Sequence, residues 1–388
     1  MKTIGSNFLN RRFLPYGLLF GLSQIFFLFF YASVFTTDKN DWIARFQTFF
    51  NLATKQHALP GFSVMPPAVP VFKISGVLFS ILQSIFHAPL TQAGLLYVIS
   101  VMLAMGGALM LLFFLLRRLI TDKEALFVTL LILINPFYWR SNVSDVYISF
   151  FFIFCLLCLF LFIKRREFQW IFFSALFLAL AVATRQAGIA LLPLTLFALL
   201  LARKYRLVTK NDFWRAVLWG AVLSIILFTV IWPQAIFHTQ NALGKNVDVT
   251  RYIKTTTTEN QAFFTIAIHR VAKALGYYPY AWIFLAGNFL LFGVRRLKKQ
   301  DAALRIMSLT CLSAFLLFLV VLPFYNEGLQ SSALRYTLPG VFCLDLLLGI
   351  EFYRQLINLI THKKTYAIAY AGVFGLLLIL SYYYYAYI

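Results

Sequence analysis

Residues 169–202 read QWIFFSALFLALAVATRQAGIALLPLTLFALLLA, with Arg185 as the one formal charge in the run. An α-helix rises about 1.5 Å per residue, so one helix over this stretch would extend about 50 Å, against a hydrocarbon core of about 30 Å. Its middle, Thr184-Arg185-Gln186-Ala187-Gly188, is costly to leave in lipid. The run therefore reads as two short helices, 169–184 and 187–202, meeting in a turn at a membrane surface. The rest of the chain agrees in character. Of its 388 residues, 61% are hydrophobic and 12% charged, and its mean hydropathy is +0.81; a soluble domain carries about 25% charged residues. That balance excludes a soluble enzyme, a disordered tail and a secreted disulfide scaffold. The net charge of +21 invites nucleic acid as a partner, but long apolar runs give those cations another role, and no nucleic-acid partner is expected.

Runs long enough to cross a bilayer fall near 13–35, 91–116, 124–139, 145–163, 169–184, 187–202, 214–236, 277–294, 303–323, 337–352 and 366–386. The expected fold is an all-α polytopic membrane protein of about eleven transmembrane helices, with residues 1–388 as a single integral membrane domain. The first span is too long for a signal-peptide core and reads as an uncleaved anchor. If the N-terminus is cytoplasmic and 67–87 does not cross, 22 of the 34 lysines and arginines face the cytoplasm. Letting 67–87 cross inverts every later loop, so the positive-inside rule favours the first arrangement. Within 67–87, Lys73, Ser80, Gln83, Ser84 and His87 fall on one helical stripe, which suits a helix lying along the surface. It belongs to a first outer loop, 36–90, and 237–276 forms a second long outer loop.

Cys155, Cys158, Cys311 and Cys343 all lie within spans, where apolar packing is the expected use. The cytoplasmic loops are short and mainly basic. The outer face mixes both signs of charge, so chemistry is expected there. Asp38 and Asp41 follow the first span in Thr36-Thr37-Asp38-Lys39-Asn40-Asp41-Trp42. Arg140 and Asp145 flank a short outer loop, Arg185 occupies the tight turn, and Arg335-Tyr336 opens the tenth span. Each acid is either a solvated helix-end charge or a base facing a cavity; each arginine either touches lipid phosphate or holds a substrate. Together they suit transfer from a lipid-phosphate donor. A carboxylate would deprotonate the incoming hydroxyl, and arginines would stabilise charge on the departing phosphate.

The order of these motifs resembles the superfamily C (GT-C) glycosyltransferases, in the branch of protein O-mannosyltransferases and bacterial aminoarabinose transferases. The carrying residues are Asp38 with Trp42, Pro66-Pro67 opening the surface helix, Arg140…Asp145, Arg185-Gln186-Ala187-Gly188 followed by Leu192-Pro193, and Arg335-Tyr336 followed by Pro339. The family's second acid is Lys39 here, with Asp41 nearby, and the cation before its proline pair is Met65. The resemblance implies a polyprenyl-phosphate sugar donor, a glycan, lipid or protein acceptor, an outward-facing site and inversion at the anomeric carbon. Asp38 would be the base, with Asp41 beside it and Asp145 shaping the acceptor site. Arg185, Arg335, Tyr336 and Lys73 would hold the donor phosphate, and Arg140, Arg251 and His269 would serve the acceptor side. No cofactor is expected to be required; some relatives use a divalent metal such as Mg or Mn, but few acids cluster here. The expected location is the inner membrane of a prokaryote. Two alternatives remain open: a flippase or transporter for a lipid-linked glycan, for which Asp345 is the one acid well inside a span, and an O-antigen polymerase or ligase, which would lean on Arg251 or Arg270.

Overall fold

The structure, a computed structural model, describes residues 13–27, 72–86, 93–134, 143–184, 186–232, 301–321, 333–362 and 364–387. These residues are helical throughout, joined by short turns, with no strand among them. In chain order the helices are α1 (Phe13–Phe27), α2 (Val77–Phe86, entered through a π-helical turn, Phe72–Gly76), α3 (Ala93–Leu116), α4 (Asp122–Ile134), α5 (Val143–Arg165) and α6 (Gln169–Thr184). A 3₁₀ turn, Gln186–Ala190, leads to α7 (Leu191–Lys204), followed by α8 (Lys210–Ile231), α9 (Ala302–Val321), α10 (Ala333–His362) and α11 (Lys364–Tyr387). Among the described residues, three stretches are long and apolar enough to cross a membrane: Leu95–Leu116, Val146–Arg165 and Lys210–Ile231. The expected span at 277–294 lies outside the described residues.

The core is organised around α5. Its residues from Val146 to Ile163 are buried on every side, the environment a helix with no polar face requires. It packs against α3, α6, α7, α9 and α10. Phenylalanines mark the directions of contact: Phe150 meets Phe342 of α10 at 5.0 Å, Phe152 meets Phe318 of α9 at 5.5 Å, and Phe154 meets Phe177 of α6 at 5.2 Å between ring centroids. The four cysteines are buried and free, and Cys155 sits in this packing with the Ser174 hydroxyl donating to its carbonyl oxygen at 3.0 Å. By contrast α8 and α11 present apolar side chains outward, among them Trp214, Leu218, Ile225, Val230, Ile368 and Ile379. A surface of that kind belongs against lipid.

One end of the bundle gathers the basic connections. Arg117, just past α3, donates to the Tyr16 hydroxyl of α1 at 3.3 Å, and Lys164 at the end of α5 donates to the Leu119 carbonyl at 2.8 Å. Arg166 donates to the Leu207 carbonyl between α7 and α8 at 3.1 Å. The Arg305 guanidinium of α9 sits 5.5 Å from the Tyr205 ring, and Arg354 of α10 pairs with Glu124 of α4. The starts of α1, α4, α6, α8 and α9 therefore share an end with the finishes of α3, α5 and α7. Helices α1 and α3 run antiparallel, with Gln24 Nε2 donating to the Met102 carbonyl at 3.1 Å and Tyr16 packed edge-on against Phe113.

Several boundaries differ from the sequence expectation, and four of the differences have a visible cause. The tenth span, expected at 337–352, is the middle of α10, which continues to His362 because the Arg354 charge is neutralised by Glu124 rather than marking an exit to water. Helix α7 begins at Leu191, since 186–190 winds into the 3₁₀ turn. Helix α8 begins at Lys210, where the Thr209 hydroxyl accepts from the Asp212 amide at 3.1 Å, an N-cap. Helix α4 begins at Asp122 behind a reciprocal capping box. In it the Thr121 amide donates to Glu124 Oε2 at 2.9 Å, and the Glu124 amide donates to Thr121 Oγ1 at 3.3 Å.

The polar stripe expected on 67–87 is divided in the structure. Gln83 is buried at 7% exposure, while Val77, Ile81 and Ile85 face outward. Ser80 and Ser84 turn their hydroxyls onto the carbonyls of Gly76 and Ser80, each at 2.9 Å. Lys73 has a described backbone only, and His87 lies outside the described residues.

Candidate functional site

The end of the bundle opposite the basic connections carries the elements on which four of the expected site residues sit. Asp145 is the third residue of α5, Lys73 the second residue of the π-helical turn, and Arg335 and Tyr336 occupy the first turn of α10. The Ser75 and Tyr147 hydroxyls hydrogen-bond to each other, which ties the Lys73 turn to the start of α5. Both α5 and α10 run from this end towards the basic end, in contact at Phe150 and Phe342. Lys73, Asp145, Arg335 and Tyr336 are thus placed by backbone alone on elements that begin at a common end. Asp38, Asp41, Arg140, Arg185, Arg251 and His269 lie outside the described residues.

The α6–α7 turn has a clear physical basis. Helix α6 stops at Thr184, whose hydroxyl donates to the Leu180 carbonyl at 2.7 Å. The 3₁₀ turn then folds back onto α6 so closely that a Cβ on Gly188 would lie 2.5 Å from the Ala181 carbonyl carbon and 2.6 Å from the Val182 nitrogen. Only glycine fits there. The glycine of the Arg185-x-x-Gly motif is therefore the residue that lets the 3₁₀ turn lie directly against the end of α6.

Below this turn, between α6, α7 and α8 and floored by α5, lies a groove of about 340 Å³. Leu178, Leu192, Pro193, Leu196, Gly220 and Ser224 are among its walls. Three hydroxyls reach it, and each is already engaged: Ser174 with the Cys155 carbonyl at 3.0 Å, Thr195 with the Leu192 carbonyl at 2.9 Å, and Ser224 with the Gly220 carbonyl at 2.6 Å. The groove thus offers hydrocarbon contacts with its polar atoms satisfied. Sequence reading missed it, because its walls are ordinary span residues. The one available signal was the row of small side chains Gly220, Ala221 and Ser224 on α8.

Asp345, the lone acid expected well inside a span, is buried in α10 at 2% exposure. Among the described residues, no group of three or more His, Cys, Asp or Glu side chains is placed to hold a metal ion. Comparison with known proteins returns no matching family model and no curated protein of significant similarity.

Proposed function

We propose that this chain is a multi-pass membrane glycosyltransferase that moves a sugar from a polyprenyl-phosphate donor to an acceptor on the outer face of a prokaryotic inner membrane. The observation that carries the proposal is the apolar groove beneath the α6–α7 turn. A prenyl chain needs a hydrocarbon-lined lane, and its phosphate needs a cation at the lane's mouth. Here the lane begins at Leu192 and Pro193, a few residues beyond Arg185. Gathering of the basic connections at the other end supports an outward-facing site, because positive loops remain cytoplasmic. The shared starting end of α8 and α9 supports a further span between them, expected at 277–294.

In this reading Asp38, with Asp41 nearby, takes the proton from the acceptor hydroxyl. The acceptor oxygen attacks the anomeric carbon on the face opposite the phosphate, the bond from that carbon to the phosphate oxygen breaks, and configuration inverts. Polyprenyl phosphate departs with the bonding electrons. Arg185, Arg335, Tyr336 and Lys73 stabilise its charge, which is the largest electrostatic demand of the step. Asp145 shapes the acceptor site, with Arg140, Arg251 and His269 around it.

The deciding experiment is sugar transfer in membranes supplied with a polyprenyl-phosphate sugar, run with EDTA and with added Mg or Mn. Asp38→Asn abolishes transfer at unchanged expression; full transfer by that variant overturns the assignment. Retained activity in EDTA separates a metal-free mechanism from a metal-dependent one.

A further inference from the structure

A second pocket, of about 360 Å³, opens at the basic end. It is lined by Tyr16 of α1, Phe114, Arg117 and Arg118 at the end of α3, Asp122 at the start of α4 and Arg165 at the end of α5. The sequence explains these arginines as topology anchors, and cations after a helix C-terminus also suit its dipole. Neither role requires three guanidinium groups to surround one cavity, nor holds them in fixed planes.

The side chains are nevertheless held. Arg117 donates to the Tyr16 hydroxyl at 3.3 Å and to Asp122 Oδ2 at 3.0 Å. The Arg118 guanidinium lies 4.4 Å from the Phe114 ring centroid and 5.4 Å from that of Trp170. Stacking of this kind leaves the edge N–H groups of a guanidinium free to meet a planar or tetrahedral oxyanion. The neighbouring Lys164 is committed elsewhere, to the Leu119 carbonyl. Among the described residues, Arg117 alone of the three arginines is in an ion pair. The lining sets three positive charges against the Asp122 carboxylate, and even with the nearby Glu167, which Arg165 and Arg118 influence, the balance stays positive.

We propose that this pocket binds the phosphate of an anionic lipid headgroup in the membrane leaflet at the basic end. The class of ligand follows from the arginines, whose fork geometry matches phosphate oxygens. The lipid source follows from the surroundings. Phe13 and Leu14, in the same turn as Tyr16, are 62% and 69% exposed, an apolar border along which acyl chains can run while the headgroup sits among the arginines. Anionic lipids also concentrate in the leaflet where basic loops collect.

The test uses the full chain purified in detergent, with native mass spectrometry reading retention of phosphatidylglycerol against phosphatidylcholine of the same acyl chains. The wild type retains one phosphatidylglycerol in preference. Arg165→Gln and Arg118→Gln each lower that retention about fivefold, the loss expected for one cation at an anionic surface. Arg203→Gln, at the same end but outside the pocket, leaves it unchanged. Arg165 is exposed and its charge only lightly influences the neighbouring Glu167 carboxyl, so its variant keeps the test valid if Arg118→Gln unfolds. Equal retention by wild type and Arg165→Gln overturns the pocket, as does an equal loss in Arg203→Gln. A parallel arm measures thermal protection by millimolar inorganic phosphate. Protection by free phosphate that Arg165→Gln abolishes, without preference for phosphatidylglycerol, overturns the lipid source.

Discussion

Arg354 Nε lies 2.6 Å from Glu124 Oε1, an ion pair joining residues 230 positions apart in the chain. It ties α10 to the first turn of α4, and Glu124 also accepts from the Thr121 amide and hydroxyl at 2.9 and 3.0 Å. One carboxylate therefore closes a helix cap and a tertiary contact together. Removing one partner of a fully buried pair costs about 3–5 kcal/mol. Arg354 retains 25% side-chain exposure, so water screens part of that and a loss of about 2 kcal/mol is expected. Glu124→Gln and Arg354→Gln should each lower the unfolding midpoint in detergent, and the double variant should lose less than their sum. Strict additivity would show that the pair contributes nothing to stability.

Gly188→Ala should disrupt the α6–α7 turn, because its Cβ would overlap the Ala181 carbonyl. Helix propensity alone favours alanine by about 1 kcal/mol, so a stability gain would contradict the geometry. The expected outcome is a lower unfolding midpoint and, if Arg185 holds the donor phosphate as proposed, reduced donor use as well. Gly220→Ala is the contrasting control: its Cβ would meet Ile171 Cγ2 at 3.9 Å, an ordinary contact.

The break within 169–202 was legible because a charge and a glycine interrupt an apolar run, and the structure gives that glycine a steric necessity. The starts of α4 and α8, expected at 124 and 214, lie instead at Asp122 and Lys210; hydropathy passes over the short-range signals that set them, Thr121-x-x-Glu124 and Thr209-x-x-Asp212. The length of α10 was not legible either. Hydropathy ends a span at Arg354, and only a partner distant in sequence lets the helix continue. On α2, periodicity distinguishes two faces, but in lipid it does not say which one turns outward. Gln83 packs inward while Ile81 and Ile85 point away, the reverse of a soluble helix. The groove was illegible because its walls, on α6, α7 and α8, come together only in the folded chain. Of the candidate site, the sequence supplied residue types and order, and the backbone adds a shared end for α5, α10 and the Lys73 turn.

Labelling can fix the sidedness. The native cysteines are buried, so one introduced at exposed Glu167 reports the basic end and one at Asn241 reports the 237–276 loop. In intact cells a membrane-impermeant maleimide should label Asn241→Cys and spare Glu167→Cys until the membrane is permeabilised. The opposite pattern would place the basic connections outside and with them reject an outward-facing site.

At the same turn, Glu167 accepts from Trp170 Nε1 at 2.9 Å and from Gln169 Nε2 at 2.7 Å. The indole and amide hydrogen bonds hold its carboxyl below the ordinary value of 4.5. A lowered value in the folded state means the carboxylate favours this turn above the ordinary carboxylate range and that the contribution fades as pH falls through the lowered value. The Trp170 indole proton resonance should therefore be constant from neutral pH down to the ordinary carboxylate range and move only below it. A transition near neutrality would implicate a different group.

The groove makes a prediction about donor length. Gly220→Leu would project a branched side chain into the space between α6, α7 and α8 while improving the local helix propensity of α8, so folding should be retained. If a prenyl chain lies there, losing contact with two of its methylenes at about 0.8 kcal/mol each should raise KM for the long-chain donor roughly tenfold. A short-chain, water-soluble donor analogue should be used equally well by both proteins, because the phosphate and sugar contacts at the far end are untouched. Equal loss with both donors would indicate damage to the site itself. No loss with either would show that the donor tail runs elsewhere, along the lipid-facing surface rather than within the bundle.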